Sequence, residues 1–197
     1  MGGAYTARSI GMIRVYTGKG KGKTTSALGE ALVAQSQGIK VLMVQFLKGS
    51  TYMGELYTMG RLGIPLIQFG VGCRWSGMIR TGLRHCSGCG ECFRQNRDPN
   101  VALPLVAQGV EFLRTQIEEG DWGLIILDEV SHALNKGFLE MGILQELIGL
   151  KPEGLDWILT GRDMPEELLP FVEHWWELNP LKHPLQAGIR SRRGIEY

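Results

Sequence analysis

The sequence predicts an α/β fold: a mainly parallel sheet with helices on both faces. Three observations carry that expectation. Apolar runs of strand length alternate with stretches of helical period along the chain. Two of these runs, "KVLMVQFL" at 40–47 and "WGLIILDE" at 122–129, are apolar over most of their length, as strands covered on both faces are. Between the first strand and the first helix lies "TGKGKGKTT" at 17–25, a glycine-rich turn closing on Gly-Lys-Thr.

Residues 12–16 read as the first strand. The first helix covers 24–37, where Ala27, Leu28, Ala31 and Leu32 recur at helical spacing and Gly38 closes the last turn. The run at 40–47 is the second strand and 64–69 the third. Residues 70–100 have no period and are too long for an ordinary connection, which marks them as functional. Helical spacing returns over 103–119, with Leu105, Val106, Val110, Leu113 and Ile117 on one side. The run at 122–129 is a buried strand ending in two acids; 139–150 is helical and 157–160 a further strand. A short helix at 165–172 has Asp163 placed to cap it and Pro165 near its first turn. Residues 175–178 form the last strand, and 1–11 an N-terminal arm without a period. A chain of 197 residues with 44% hydrophobic content is enough for one domain over 1–197.

The strand–glycine–lysine–threonine–helix order makes the fold P-loop NTPase-like. Gly18, Gly20 and Gly22 let backbone N–H groups turn inward, and the helix N-terminus adds a dipole that favours anions. Lys23 pairs with phosphate oxygens, Thr24 offers a hydroxyl to Mg2+ (or Mn2+), and Lys19, Lys21 and Thr25 flank them. Thr17 stands where the usual pattern has a glycine, so the first glycine comes one step late. Asp128 and Glu129, at the end of "LIILDE", are the expected remainder of the magnesium shell. The pair alone does not separate hydrolysis from group transfer.

Lys+Arg of 21 against Asp+Glu of 20 gives a net charge of +1, which excludes bulk electrostatic capture of nucleic acid. No apolar run approaches the roughly 20 residues of a membrane helix. The N-terminal "MGGAYTARSIGM" has no apolar signal core, so the expected location is cytoplasmic. Three of the four cysteines fall in "HCSGCGECF" at 85–93. Without an export signal, such clustering reads as metal or redox chemistry before disulfides. Cys86, Cys89 and Cys92 make a C-x2-C-x2-C run with Cys73 or His85 as the fourth ligand; zinc and an iron–sulfur cluster both suit it, although Asn96 stands where a ferredoxin run has its fourth cysteine. Reduced free thiols are the alternative.

"TGKGKGKTT", "VQFLKG" at 44–49, Gly54-Glu55, "LDE" at 127–129, "LTGR" at 159–162 and the tail "LKHPLQAGIRSRRGIEY" together resemble the ATP:corrinoid adenosyltransferases that act on cob(I)alamin and cob(I)yrinic acid a,c-diamide. The resemblance runs from about residue 12 to the end, and the tail is its most discriminating part. The late glycine belongs to that family's own loop. The resemblance implies that Co(I) attacks the 5′ carbon of ATP and the whole triphosphate leaves, with Lys23, Thr24 and Glu129 as the catalytic set and Mg2+ held by Thr24, Asp128 and Glu129. It further implies that ATP and corrinoid are bound by Gly18, Lys19, Gly20, Lys21, Gly22, Lys23, Thr24 and Thr25, together with Gln45, Lys48, Glu55, Trp75, Arg162, Lys182 and His183. In "GVGCRW" at 70–75, Trp75 matches an aromatic expected beneath the corrin, and Cys73 stands where phenylalanine is usual. The cysteine run is absent from the family pattern. A homodimer, an electron-donor flavoprotein and an N-terminal arm over the active site are implied in the same way. Two other readings stand beside this one. A P-loop deoxynucleoside kinase with a cysteine-bound zinc lobe explains the glycine loop, the acids and the thiols, but not "VQFLKG" or the tail. A non-catalytic ATP- and corrinoid-binding protein is the second.

Overall fold

The computed structural model describes residues 11–49 and 53–182. Strands β1 (Ile13–Thr17), β2 (Val41–Phe46), β3 (Leu66–Phe69), β4 (Leu124–Asp128), β5 (Asp156–Thr160) and β6 (His174–Glu177) form one sheet in the order β3-β2-β4-β5-β1-β6. Every pairing is parallel. The expected sheet is therefore present, with strand bounds shifted by one or two residues.

Alternate side chains of β2 explain why helices cover both faces. Leu42, Val44 and Phe46 enter one apolar cluster with Val106, Val110 and Leu113 of helix α5 (Pro99–Glu119). Val41 and Met43 enter the other, with Ala27 and Ala31 of helix α1 (Lys23–Ser36) and Met59 of helix α2 (Gly54–Leu62). Gly109 lets α5 approach closely, since a Cβ there would lie 2.8 Å from Cε1 of Phe46 and 3.0 Å from Cδ2 of Phe69. Gly109→Val is expected to overpack this contact at a cost of about 1–3 kcal/mol. A lower urea midpoint with an unchanged m-value is the check; an unchanged midpoint would show that the helix seats elsewhere.

The structure adds elements that periodicity did not signal: α2, and, within 70–100, helices α3 (Ser76–Arg80) and α4 (Glu91–Gln95). Helix α6 (Val130–Asn135) follows β4 directly, ahead of α7 (Met141–Gly149). Helix α5 begins at Pro99 rather than 103 because the Asp98 side chain accepts a hydrogen bond from the Asn100 N–H at 3.0 Å, with proline at the first position. The short helix at 165–172 is a 3-10 turn, Glu166–Phe171, and Asp163 does not cap it. Asp163 sits at φ 50°, and its carbonyl accepts instead from Nδ2 of Asn135 at 2.8 Å. From β1 the chain crosses to β2, beyond β5 and β4. The carboxyl ends of β1, β5, β4 and β2 are thereby left at one crevice, where ligands of open α/β sheets bind.

Candidate nucleotide site

The glycine loop leaves β1 at Thr17 and enters α1 at Lys23. Gly18 (φ 102°) and Gly22 (φ 110°) take left-handed conformations that other residues adopt only with strain. Lys23 is 7% exposed, and its Nζ donates to the carbonyls of Gly18 at 2.9 Å and Gly20 at 2.6 Å, folding the loop around the ammonium. Burial lowers the pKa of Lys23, with Glu129 and Asp128 acting against that shift.

One feature differs from the expectation of three inward-turning amides. The Gly20 N–H donates to the Leu178 carbonyl at 2.7 Å, and a Cβ on Gly20 would sit 2.6 Å from that same oxygen. The segment leaving β6 therefore forms the outer wall of the loop, and the Gly20 amide is tied to that wall. Thr17, where a glycine is customary, accepts the Met164 N–H on its hydroxyl at 3.1 Å and so fastens the connection after β5 to the loop. Lys19, Lys21 and Thr25 lie on the exposed rim. Lys182, also exposed, shares with Gly20, Lys21 and Leu178 the wall of a shallow cavity of about 400 Å³.

Asp128 is the centre of the acidic end. It is wholly buried, and its Oδ1 accepts from the hydroxyls of Thr24 at 2.8 Å and Thr160 at 2.6 Å. Its Oδ2 accepts from Nε2 of Gln45 at 2.9 Å and Nζ of Lys48 at 2.6 Å. Burial alone would raise the Asp128 pKa; the Lys48 charge and the hydrogen bonds outweigh it and hold the carboxyl below the usual range. Burial likewise opposes charge on Lys48, yet Asp128, Glu129 and Glu55 raise its pKa above the ordinary lysine value. Its Nζ stands 3.8 Å from Oε1 of Glu55 and 4.0 Å from Oε1 of Glu129.

Glu129 occupies a left-handed position (φ 60°) at the start of α6. Its N–H donates to the Thr160 hydroxyl at 3.2 Å, and its Oε2 pairs with Nδ1 of His132 at 2.8 Å. Gln68 donates through Nε2 to Oε1 of Gln45 at 2.7 Å, which turns the Gln45 amide nitrogen toward Asp128 and, at 3.3 Å, Glu55. Thr160, Gln68 and His132 are additions to the residues expected from sequence. Thr160 had a signal: a threonine ending a strand that neighbours the acidic one. The Arg162 carbonyl is anchored by the Ser131 hydroxyl at 2.7 Å, and its exposed guanidinium is near enough to act on the Lys23 charge.

Thr24, Asp128 and Glu129 present hard oxygen donors, the kind Mg2+ prefers, and the Lys48 ammonium already sits among the carboxylates as a cation. Two guanidinium groups approach the Trp75 ring, that of Arg84 at 4.1 Å and that of Arg74 at 5.2 Å from its centre. Cys73 and Cys92 are half-buried, and Cys86, Cys89 and His85 exposed. Among the described residues, no three His, Cys, Asp or Glu side chains are grouped so as to hold a metal ion. His183, the remainder of the tail after Lys182 and the arm at 1–10 lie outside the described residues.

The chain is 28% identical to the corrinoid adenosyltransferase of Escherichia coli over 187 residues, which is 95% of this chain and 86% of that protein. It is 28% identical over 189 residues to corrinoid adenosyltransferase CobA of Salmonella typhimurium, with the same shares covered. The corrinoid adenosyltransferase of Pseudomonas aeruginosa is 29% identical over 189 residues, 95% of this chain and 84% of its own. The family model of the ATP:corrinoid adenosyltransferases BtuR/CobO/CobP matches residues 9–197, from just ahead of β1 through the whole tail. Because that match spans nearly the whole chain, the chain belongs to the ATP:corrinoid adenosyltransferase family.

Proposed function

We propose that this chain, acting as one domain, transfers the 5′-deoxyadenosyl group of ATP to the Co(I) centre of a corrinoid in adenosylcobalamin synthesis or salvage. The cobalt electron pair forms the Co–C5′ bond, the C5′–O5′ bond breaks, and its electrons leave with the triphosphate. Cobalt becomes formally Co(III).

One observation carries the mechanistic part. Each of the three acids of the site is already engaged: Asp128 is buried under four hydrogen bonds, Glu129 pairs with His132 and faces Lys48, and Glu55 faces Gln45 and Lys48. Phosphoryl transfer to a hydroxyl calls for a group that receives its proton. Attack by a metal centre carries no proton and needs none. The protein then contributes orientation and electrostatics. Lys23, with the glycine loop around it, neutralises charge building on the departing triphosphate. Arg162 adds positive charge over the same loop. Lys48 keeps Asp128 ionised, and Asp128 in turn orients the Thr24 hydroxyl. Mg2+ (or Mn2+), held by Thr24 and Glu129 with Asp128 behind the Thr24 hydroxyl, would supply further charge stabilisation to the triphosphate. Trp75 provides an apolar plate for the corrin, flanked by Arg74 and Arg84.

No helix among the described residues is long and apolar enough to cross a membrane. A homodimer in the cytoplasm, with Co(II) reduced by an electron-donor flavoprotein, is the setting we propose from family membership. Zinc or an iron–sulfur centre on the insert cysteines has no part in the transfer as written.

Incubation with ATP, Mg2+ and chemically reduced cobalamin tests the reading. The adenosyl-corrinoid spectrum and free triphosphate are expected; ADP with orthophosphate and unalkylated cobalt would overturn it. Thymidine phosphorylation would point to a kinase, and binding without turnover to a carrier. His132→Ala is expected to raise the Mg2+ concentration for half-maximal turnover by about tenfold, as loss of a group that orients a ligand does. Its thermal midpoint should hardly move, because His132 is about half exposed. An unaltered Mg2+ dependence would remove His132 from the site.

A further inference from the structure

The connection between β3 and α5 carries four thiols that the transfer does not use. Cysteine with only a packing role is among the most buried residue types. Cys86 and Cys89 are instead exposed, within a run at 81–89 in which every residue is exposed. Such a run buries no apolar side chain that could offset the entropy of fixing it.

Its backbone is nevertheless shaped. Gly88 (φ 69°) and Gly90 (φ 73°) take left-handed turns on either side of Cys89, and a Cβ on either would meet nothing within 4 Å. Glycine is needed there for the turning of the chain rather than for space. A chain that reverses before and after the middle thiol can bring three thiols, three residues apart, toward one point.

The other side of the cluster is fixed by Asn96, only 8% exposed. Its Oδ1 accepts the Val71 N–H at 2.7 Å, and its Nδ2 donates to the carbonyls of Val71 at 2.8 Å and Cys92 at 2.9 Å. This clip joins the exit of β3, two residues before Cys73, to the helix that bears Cys92. An ion pair between Arg74 and Glu91, 3.5 Å apart, joins the adjacent residues.

We propose that Cys73, Cys86, Cys89 and Cys92 hold a thiolate-bound metal centre. The Asn96 clip presents Cys73 and Cys92, and the exposed run folds in from its two glycine turns to deliver Cys86 and Cys89. Four soft thiolates suit a single tetrahedral zinc ion or, with one thiolate per iron, a [4Fe–4S] cluster. Each ligating thiol gives its proton to solvent as the metal binds, and binding energy becomes folding energy for a segment without a core. The centre would thus stiffen the connection that carries Trp75.

The test uses the full chain purified without oxygen, assayed for zinc, iron, acid-labile sulfide and visible absorption. About one zinc, or about four irons with four sulfides, is expected per chain. The first result identifies zinc and the second a cluster, and either supports the site. Cys73→Ser and Cys89→Ser should each lower metal content by about tenfold or more. Chelation of the wild-type chain should speed proteolysis within 81–90, and fluorescent-nucleotide binding serves as the control that each variant is folded. A chain that stays metal-free even after supply of zinc, or of iron with sulfide, would overturn the proposal. So would full metal retention in either serine variant.

Discussion

Replacing Lys23 by alanine is expected to lower kcat/KM for adenosyl transfer by roughly 30- to 1,000-fold, about 2–4 kcal/mol of transition-state stabilisation. Among the described residues, Lys23 is the cation folded inside the glycine loop, with Nζ fixed by the Gly18 and Gly20 carbonyls. The charge it faces grows as the C5′–O5′ bond breaks, since the leaving triphosphate gains the electron pair. An interaction that strengthens along the reaction acts on kcat more than on KM. Single-turnover measurement with saturating ATP is therefore the informative assay, and kcat should carry most of the loss. Lys23→Arg is not expected to rescue it. Two carbonyls at 2.9 and 2.6 Å cradle a compact ammonium, and the planar guanidinium has a different donor geometry. Turnover unchanged in Lys23→Ala would contradict the triphosphate clamp.

The parallel sheet was legible because β2 and β4 must be apolar on both faces, a pattern few other structures require. The phosphate loop was legible because its chemistry depends on residue type at fixed spacing. What escaped was set by tertiary contact. Helix α2 buries only Met59 and so leaves almost no apolar period to detect. Helix α6 is six residues long, and its Val130, Ser131 and Ala133 are buried by the sheet above them rather than by a stripe of their own. The Gly20 amide meets Leu178, a residue far away in sequence, and no local pattern announces that bond. Gln68 and His132 join the site for the same reason: each is defined by the neighbour it touches across the sheet or one helical turn, and each is an unremarkable residue in its own segment, whereas Thr160 is marked by its place at the end of the strand beside the acidic one.

Asp128→Asn is the substitution expected to cost most stability, about 3–5 kcal/mol, because it leaves the Lys48 charge without its closest counter-ion. The amide also turns an NH2 group toward a position where Thr24, Thr160, Gln45 and Lys48 all donate. Its effect has a pH signature. The depressed pKa of Asp128 means that its ionisation stabilises the fold fully above about pH 4, the unfolded aspartate value, and that this contribution fades as pH falls through the folded value. The raised pKa of Lys48 acts oppositely: its contribution is complete below about pH 10 and is lost as pH rises through the folded value. Urea midpoints of wild type and Asp128→Asn should therefore differ by a nearly constant amount between about pH 5 and 9 and converge in acid. Adding Lys48→Met to Asp128→Asn should restore part of the stability, since the stranded charge is then gone, while activity stays low because Thr24 has lost its orienting carboxylate. A double variant no more stable than Asp128→Asn alone would show that the two residues do not act as a pair, and a gap that persists unchanged in acid would show that the carboxylate charge is not what holds this site together.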